Sequence, residues 1–104
     1  MTLLTIVAES ILKDRLIHEI RNSGAKGFTI TDVSGEGSRQ RRVSELLGDN
    51  VKIEIIAKLE TADKILEVLQ RDYFSRYAVI AYMSEIQIVR EDKYSWSFAN
   101  EFQQ

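Results

Sequence analysis

An α+β fold in the order strand, helix, strand, strand, helix, strand is predicted for this chain of 104 residues. Three observations carry the prediction. From Val51 to Leu59 the residue types alternate, with Val51, Ile53, Ile55, Ala57 and Leu59 opposite Lys52, Glu54, Lys58 and Glu60. That is the period of a half-buried strand, with Ile56 its exception. Leu12, Leu16 and Ile20 recur every fourth residue, and Ile65, Leu66, Leu69 and Tyr73 also follow helical spacing. The other apolar stretches are rich in β-branched residues, and no proline interrupts any of them.

Each element has a local reason. Leu3 to Ala8 is apolar with weak alternation, as in a strand covered on both faces. Ser10 can cap the helix that follows, Asp14, Arg15, Glu19 and Arg21 fall on its polar side, and Gly24 can end it in the left-handed conformation. Phe28 to Val33 reads as a second strand, antiparallel to the one beginning at Val51. Between them, Val43 to Leu47 is too short for a stable helix, and Gly48-Asp49-Asn50 is a turn cluster. Thr61 caps the second helix, whose wet side carries Asp63, Lys64, Glu67 and Arg71. Tyr77 to Val89 reads as a long last strand, and Tyr94, Trp96 and Phe98 mark every second position of the tail. The order is that of the ferredoxin-like fold, an antiparallel four-stranded sheet with two helices on one face. Ile56, Tyr82 and Met83 exceed what one helical layer covers, so an oligomer packed sheet to sheet is expected.

Composition excludes several functions. With 44% hydrophobic residues the chain has material for one core and one domain, residues 1–104. Cysteine is absent, which rules out disulfides, a thiol nucleophile and cysteine metal sites, and a single His18 cannot form a histidine cluster. The net charge of −2 predicts no general attraction to nucleic acid or to anionic lipid. Met1 to Val7 lacks a basic n-region, and no apolar run nears the ~20 residues of a membrane span, so a soluble, cytoplasmic protein is expected.

Against that background one stretch stands out. Ser34-Gly35-Glu36-Gly37-Ser38-Arg39-Gln40-Arg41-Arg42 concentrates two glycines, hydroxyls and three arginines. Glycine lets backbone N–H groups approach an anion, and arginine closes on it with paired hydrogen bonds. Arg39 and Arg42, three apart, share a face on a helical turn. The connection from Ser34 to Asn50 has 17 residues, against roughly two to five in most hairpins. It is neither a Walker A loop nor a dinucleotide fingerprint, and its chemistry fits a ligand loop and a charged flexible tip alike.

Gly24-Ala25-Lys26-Gly27-Phe28-Thr29, the segment Ser34 to Arg39 with Arg42, Tyr73-Phe74 and Tyr77-Ala78-Val79-Ile80 together resemble the PII-like signal-transduction proteins, and most closely their carbon-regulatory branch. The resemblance spans about Leu3 to Val89. It implies a homotrimer of ferredoxin-like subunits, with a T-loop at about residues 35–50 and a C-terminal tail at about 91–104. It further implies an adenine nucleotide (AMP, cyclic AMP, ADP or ATP) as effector in the clefts between subunits, and no catalysis. The target it implies is a membrane bicarbonate transporter in inorganic-carbon uptake or fixation, which would recruit the protein to the membrane. By position, Gly35 and Gly37 would approach phosphate through the backbone, Ser38 would offer a hydroxyl, and Arg39 and Arg42 would neutralise charge. Two departures matter. Many relatives are basic where this chain has Glu36, which repels phosphate and favours AMP or cyclic AMP over ATP. The paired cysteines of a redox-sensitive tail are missing here, so that switch is excluded.

Other residues have a plainer reading beside the functional one. Arg90 ends the last predicted strand, where it reaches a ligand or forms a surface ion pair. Arg41 meets a partner or stays solvated. His18 fits packing better than catalysis, and Glu54 with Glu60 fits surface charge better than a paired-acid site. The aromatic tail fits packing better than base stacking. Two alternatives to a regulator remain in view: a small ferredoxin-like enzyme acting on a phosphorylated substrate, and an RNA-binding module.

Overall fold

The computed structural model describes residues 1–35 and 49–90. They form strands β1 (Thr2–Glu9), β2 (Phe28–Val33), β3 (Asn50–Ala57) and β4 (Ile80–Glu85), with helices α1 (Lys13–Asn22) and α2 (Leu59–Asp72). All pairings are antiparallel, and the sheet order is β2–β3–β1–β4. This is the expected ferredoxin-like arrangement.

Strand parity decides which residues make the core, because neighbours on a strand point to opposite faces. Leu4, Ile6 and Ala8 of β1 share a face with Val51, Ile53, Ile55 and Ala57 of β3. Both helices lie on that face and fill it with Leu16, Ile20, Ala62, Ile65 and Leu69. Leu4, Ile6, Ile53 and Ile55 are entirely shielded from solvent. Burial at such positions contributes roughly 1.5–3 kcal/mol per side chain. Gly24, at φ +91°, takes the left-handed conformation after α1, and its N–H donates to the Arg21 carbonyl at 3.1 Å.

Among the described residues no helix covers the opposite face. Across it run Leu3 beside Ile56 and Ser84, Thr5 beside Glu54 and Tyr82, and Val7 beside Lys52 and Ile80. Ile80 is 62% exposed and Tyr82 is 54% exposed. Met83 does not belong there, contrary to the sequence reading. It pairs with Leu4 on the helix-covered face, since adjacent residues Tyr82 and Met83 cannot share one face of a strand.

Three boundaries also differ. The last strand is Ile80–Glu85, shorter than Tyr77 to Val89. Its one neighbour, β1, starts at Thr2 opposite Glu85, and Ile86 N–H already bonds to the Met1 carbonyl at 2.9 Å. Beyond that point no strand among the described residues pairs with the chain. Ser10 does not cap α1. It opens a short 3-10 turn, Ser10–Leu12, and its hydroxyl donates to the Asp49 carbonyl. Thr61 lies inside the first turn of α2, which starts at Leu59 after an extended Lys58 that makes no side-chain cap bond.

Candidate functional site

The antiparallel topology gives the sheet two distinct ends. The upper end gathers Glu9 and Ser10, the end of β2 at Val33, the start of β3 at Asn50, and the start of β4 at Ile80. The lower end gathers Met1, Thr2, Ala57 and Glu85. Seven steps of β1 separate them, roughly 23 Å at about 3.3 Å per residue.

At the upper end both feet of the long loop are anchored. Val33 pairs with Asn50 in the ladder. One residue earlier, the Asp49 carbonyl accepts from the Ser10 hydroxyl and from Ser10 N–H, the latter at 3.1 Å. Gly35 stands just past this closure and is exposed. No atom lies within 4 Å of where a Cβ would be. Glycine here relieves no clash with the described residues, and it leaves the backbone open to approach from outside. Glu36, Gly37, Ser38, Arg39, Arg41 and Arg42 lie outside the described residues, as do Val43 to Leu47 and the aromatic tail.

Arg90 lies elsewhere. It follows Glu85 and Ile86 past the lower end of the sheet and is exposed, and it does not end a strand. Gly35 thus leaves the sheet at its upper end, whereas the chain that leads on to Arg90 leaves it at the lower end, four residues earlier at Ile86. A groove of about 470 Å³ also lies at the lower end, between Met1, Lys58, Leu59 and Met83.

A cluster that the sequence reading missed sits at the upper end. Arg15, on the first turns of α1, donates through Nη1 to the Tyr77 hydroxyl at 2.8 Å. Its guanidinium carbon lies 5.5 Å and 5.4 Å from the ring centres of Tyr73 and Tyr77, within cation–π range. The two rings are 5.9 Å apart and tilted by 44°. The Tyr73 hydroxyl donates to Glu19 Oε2 at 3.1 Å. Arg15 and Glu19 are four apart on α1, so both reach Tyr73, and Arg15 also reaches Tyr77. That spacing was visible in the sequence, but a charged pair on a helix surface ordinarily faces only water. The bond to Tyr77 raises the Arg15 guanidinium above its already high value, so it stays charged.

Burial pushes the Tyr73 phenol up, the Glu19 charge and hydrogen bond add to this, and Arg15 opposes it. A phenol raised in the folded state stabilises the fold fully below the unfolded value near 10. That contribution is lost as pH rises through the folded value. Denaturation midpoints should accordingly fall above about pH 10, and Tyr73→Phe should flatten that fall relative to the wild type.

His18 is exposed and shares a 3.0 Å hydrogen bond with Asn22. Among the described residues no three acidic or histidine side chains gather as metal donors. None of their helices is long and apolar enough to cross a membrane. The open sheet face carries one aromatic among those residues, Tyr82. RNA readers on this fold stack two or three bases on sheet aromatics.

Comparison with known proteins decides the family. A family model for nitrogen regulatory protein P-II matches residues 1–93. The chain belongs to the P-II family. Among solved structures, this P-II chain is similar to a protein from Thermus thermophilus assigned to PII-like signaling. The two are 47% identical with a TM-score of 0.77, over 89% of this chain and 92% of that one. It is also similar to CPII from Thiomonas intermedia K12 bound to ADP and bicarbonate, at 26% identity and a TM-score of 0.78, over 89% and 92% of the two chains. CPII bound to ADP, AMP and acetate matches at 25% identity and a TM-score of 0.77, over 90% and 93%. P-II membership makes this chain a regulatory protein by family.

Proposed function

We propose that this P-II protein is a non-catalytic, homotrimeric sensor of adenine nucleotides that controls a partner in bicarbonate uptake or fixation. The observation that carries the reading is that Gly35 leaves the sheet at its upper end and the chain toward Arg90 leaves it at the lower end. The Arg90 that meets a loop foot at the upper end of one subunit is then one that another subunit supplies. A cleft between subunits satisfies that condition, and the open face around Leu3, Val7, Ile56, Ile80 and Tyr82 is apolar enough to hold subunits together. The ADP, AMP and bicarbonate held by CPII support the choice of ligands.

In this reading residues 1–104 are one domain with a T-loop at about 35–50 and a tail at about 91–104. The phosphates meet backbone N–H groups at Gly35 and Gly37, the Ser38 hydroxyl, and the guanidinium groups of Arg39 and Arg42. Arg90 of a neighbouring subunit closes the cleft. Binding fixes the base of the T-loop, so that its tip is presented to or withheld from a target as an order–disorder switch. The target is a membrane bicarbonate transporter, and the cytoplasmic protein reaches the membrane through it.

A thermal-shift panel of ADP, AMP, cyclic AMP and ATP, each with and without bicarbonate, tests the ligand. A ligand at a hundred times its dissociation constant adds about 2.7 kcal/mol, a shift of about 10 °C or more for a domain of this size. ADP or AMP is expected to give it. Silence from every nucleotide would remove the sensing reading, and steady nucleotide turnover lost on loop mutation would replace it with an enzyme.

A further inference from the structure

The connection from α2 to β4, Tyr73 to Val79, is a tight turn without glycine or proline. Its backbone closes on itself. Arg76 N–H and Tyr77 N–H donate to the Tyr73 carbonyl at 3.0 Å and 2.9 Å, and Val79 N–H donates to the Tyr77 carbonyl at 3.0 Å. The polar side-chain ties to α1 come from the two tyrosines. Tyr73 is buried and bonded to Glu19, whereas Tyr77 is half-buried and held by Arg15. Arg15 itself is exposed. Its contact thus contributes little to the core, yet it fixes the far end of the turn relative to α1.

The turn stands at the same end of the sheet as Gly35. β4 starts beside the end of β1 and lies three strand spacings from β2, roughly 14 Å at about 4.8 Å per spacing. That span is comparable to an extended nucleoside diphosphate. We propose that Arg15 and Tyr77 form a latch that holds the Tyr73–Val79 turn in the shape that receives the nucleotide. Arg15 is a positioning residue that does not touch the ligand. The inference rests on the nucleotide reading above. A turn released from the latch spends only part of its time in the competent shape, and apparent affinity falls by that fraction.

Calorimetric titration of ADP into the full-length protein, paired with hydrogen exchange of the ligand-free protein, tests the latch. Tyr77→Phe removes the hydroxyl and keeps the ring. Arg15→Gln removes the cation, and Arg15→Lys restores it. The first two variants are expected to bind ADP about tenfold more weakly, with faster exchange at the Tyr77 and Val79 amides. Arg15→Lys should recover most of the affinity. Wild-type affinity in Tyr77→Phe and Arg15→Gln would overturn the latch. So would a loss that follows a general fall in melting temperature with local exchange unchanged. A wild type that binds no ADP would overturn the nucleotide reading and the latch's role in it. That outcome is recognisable because exchange at Tyr77 and Val79 reports the latch without ligand.

Discussion

Replacing Arg39 and Arg42 together by alanine is expected to weaken ADP binding at least a hundredfold in calorimetric titration. A hydrogen bond to a charged group contributes about 1.5–3 kcal/mol when shielded from water. Removing two such bonds costs about 3 kcal/mol or more, and each 1.4 kcal/mol is about a factor of ten. Arg39 and Arg42 follow Gly35 by four and seven residues in the sequence. Affinity within threefold of the wild type would show that the phosphates are held elsewhere, and would return this segment to the plainer reading of a charged, solvated tip.

The second large effect is expected from Ile56→Asp. Ile56 lies on the open sheet face opposite Leu3 and is half-buried even in the single subunit. In the proposed trimer an aspartate there brings an unpaired charge into the subunit interface, which costs several kcal/mol. Light scattering coupled to size exclusion should show the mass falling from three subunits to one. ADP binding should disappear with it, because Gly35 and Arg90 would no longer face each other. A wild type that already runs as one subunit would defeat the trimer, and so would a variant that keeps both the trimeric mass and full affinity.

Much of the fold could be read from periodicity alone. β3 is written in the alternation of Val51, Ile53, Ile55 and Ala57, and both helices in their spaced leucines and isoleucines. What failed were features set by neighbours in space. Ile86 and Ile88 continue a strand pattern, but the ladder with β1 ends at Thr2 opposite Glu85, and no other strand among the described residues pairs with them. Ser10 has the right chemistry for a helix cap, yet Asp49, 39 residues away, takes its hydroxyl. Met83 follows Tyr82 directly, so strand parity sends it to the helix-covered face, which apolar character alone does not reveal. Composition marks the glycine-arginine stretch as a candidate anion site and as a charged tip alike, and its residues from Glu36 to Gly48 lie outside the described ones. Arg15 with Tyr77 was not legible, because a contact spanning 62 residues leaves no local trace.

The two anchored feet have an evolutionary consequence. Val33 and Asn50 face each other in the ladder, so the strands leave and re-enter the sheet as a closed gate. For a connection held this way the entropy of closure grows only slowly, by about 0.6 kcal/mol for each doubling of length. Insertions, deletions and wholesale exchange of residues 43–48, beyond the proposed phosphate contacts, should therefore be tolerated by the rest of the domain. Selection can redraw the tip for a new target while Gly35 keeps its address. The scaffold behaves as a socket, and the loop as an interchangeable plug.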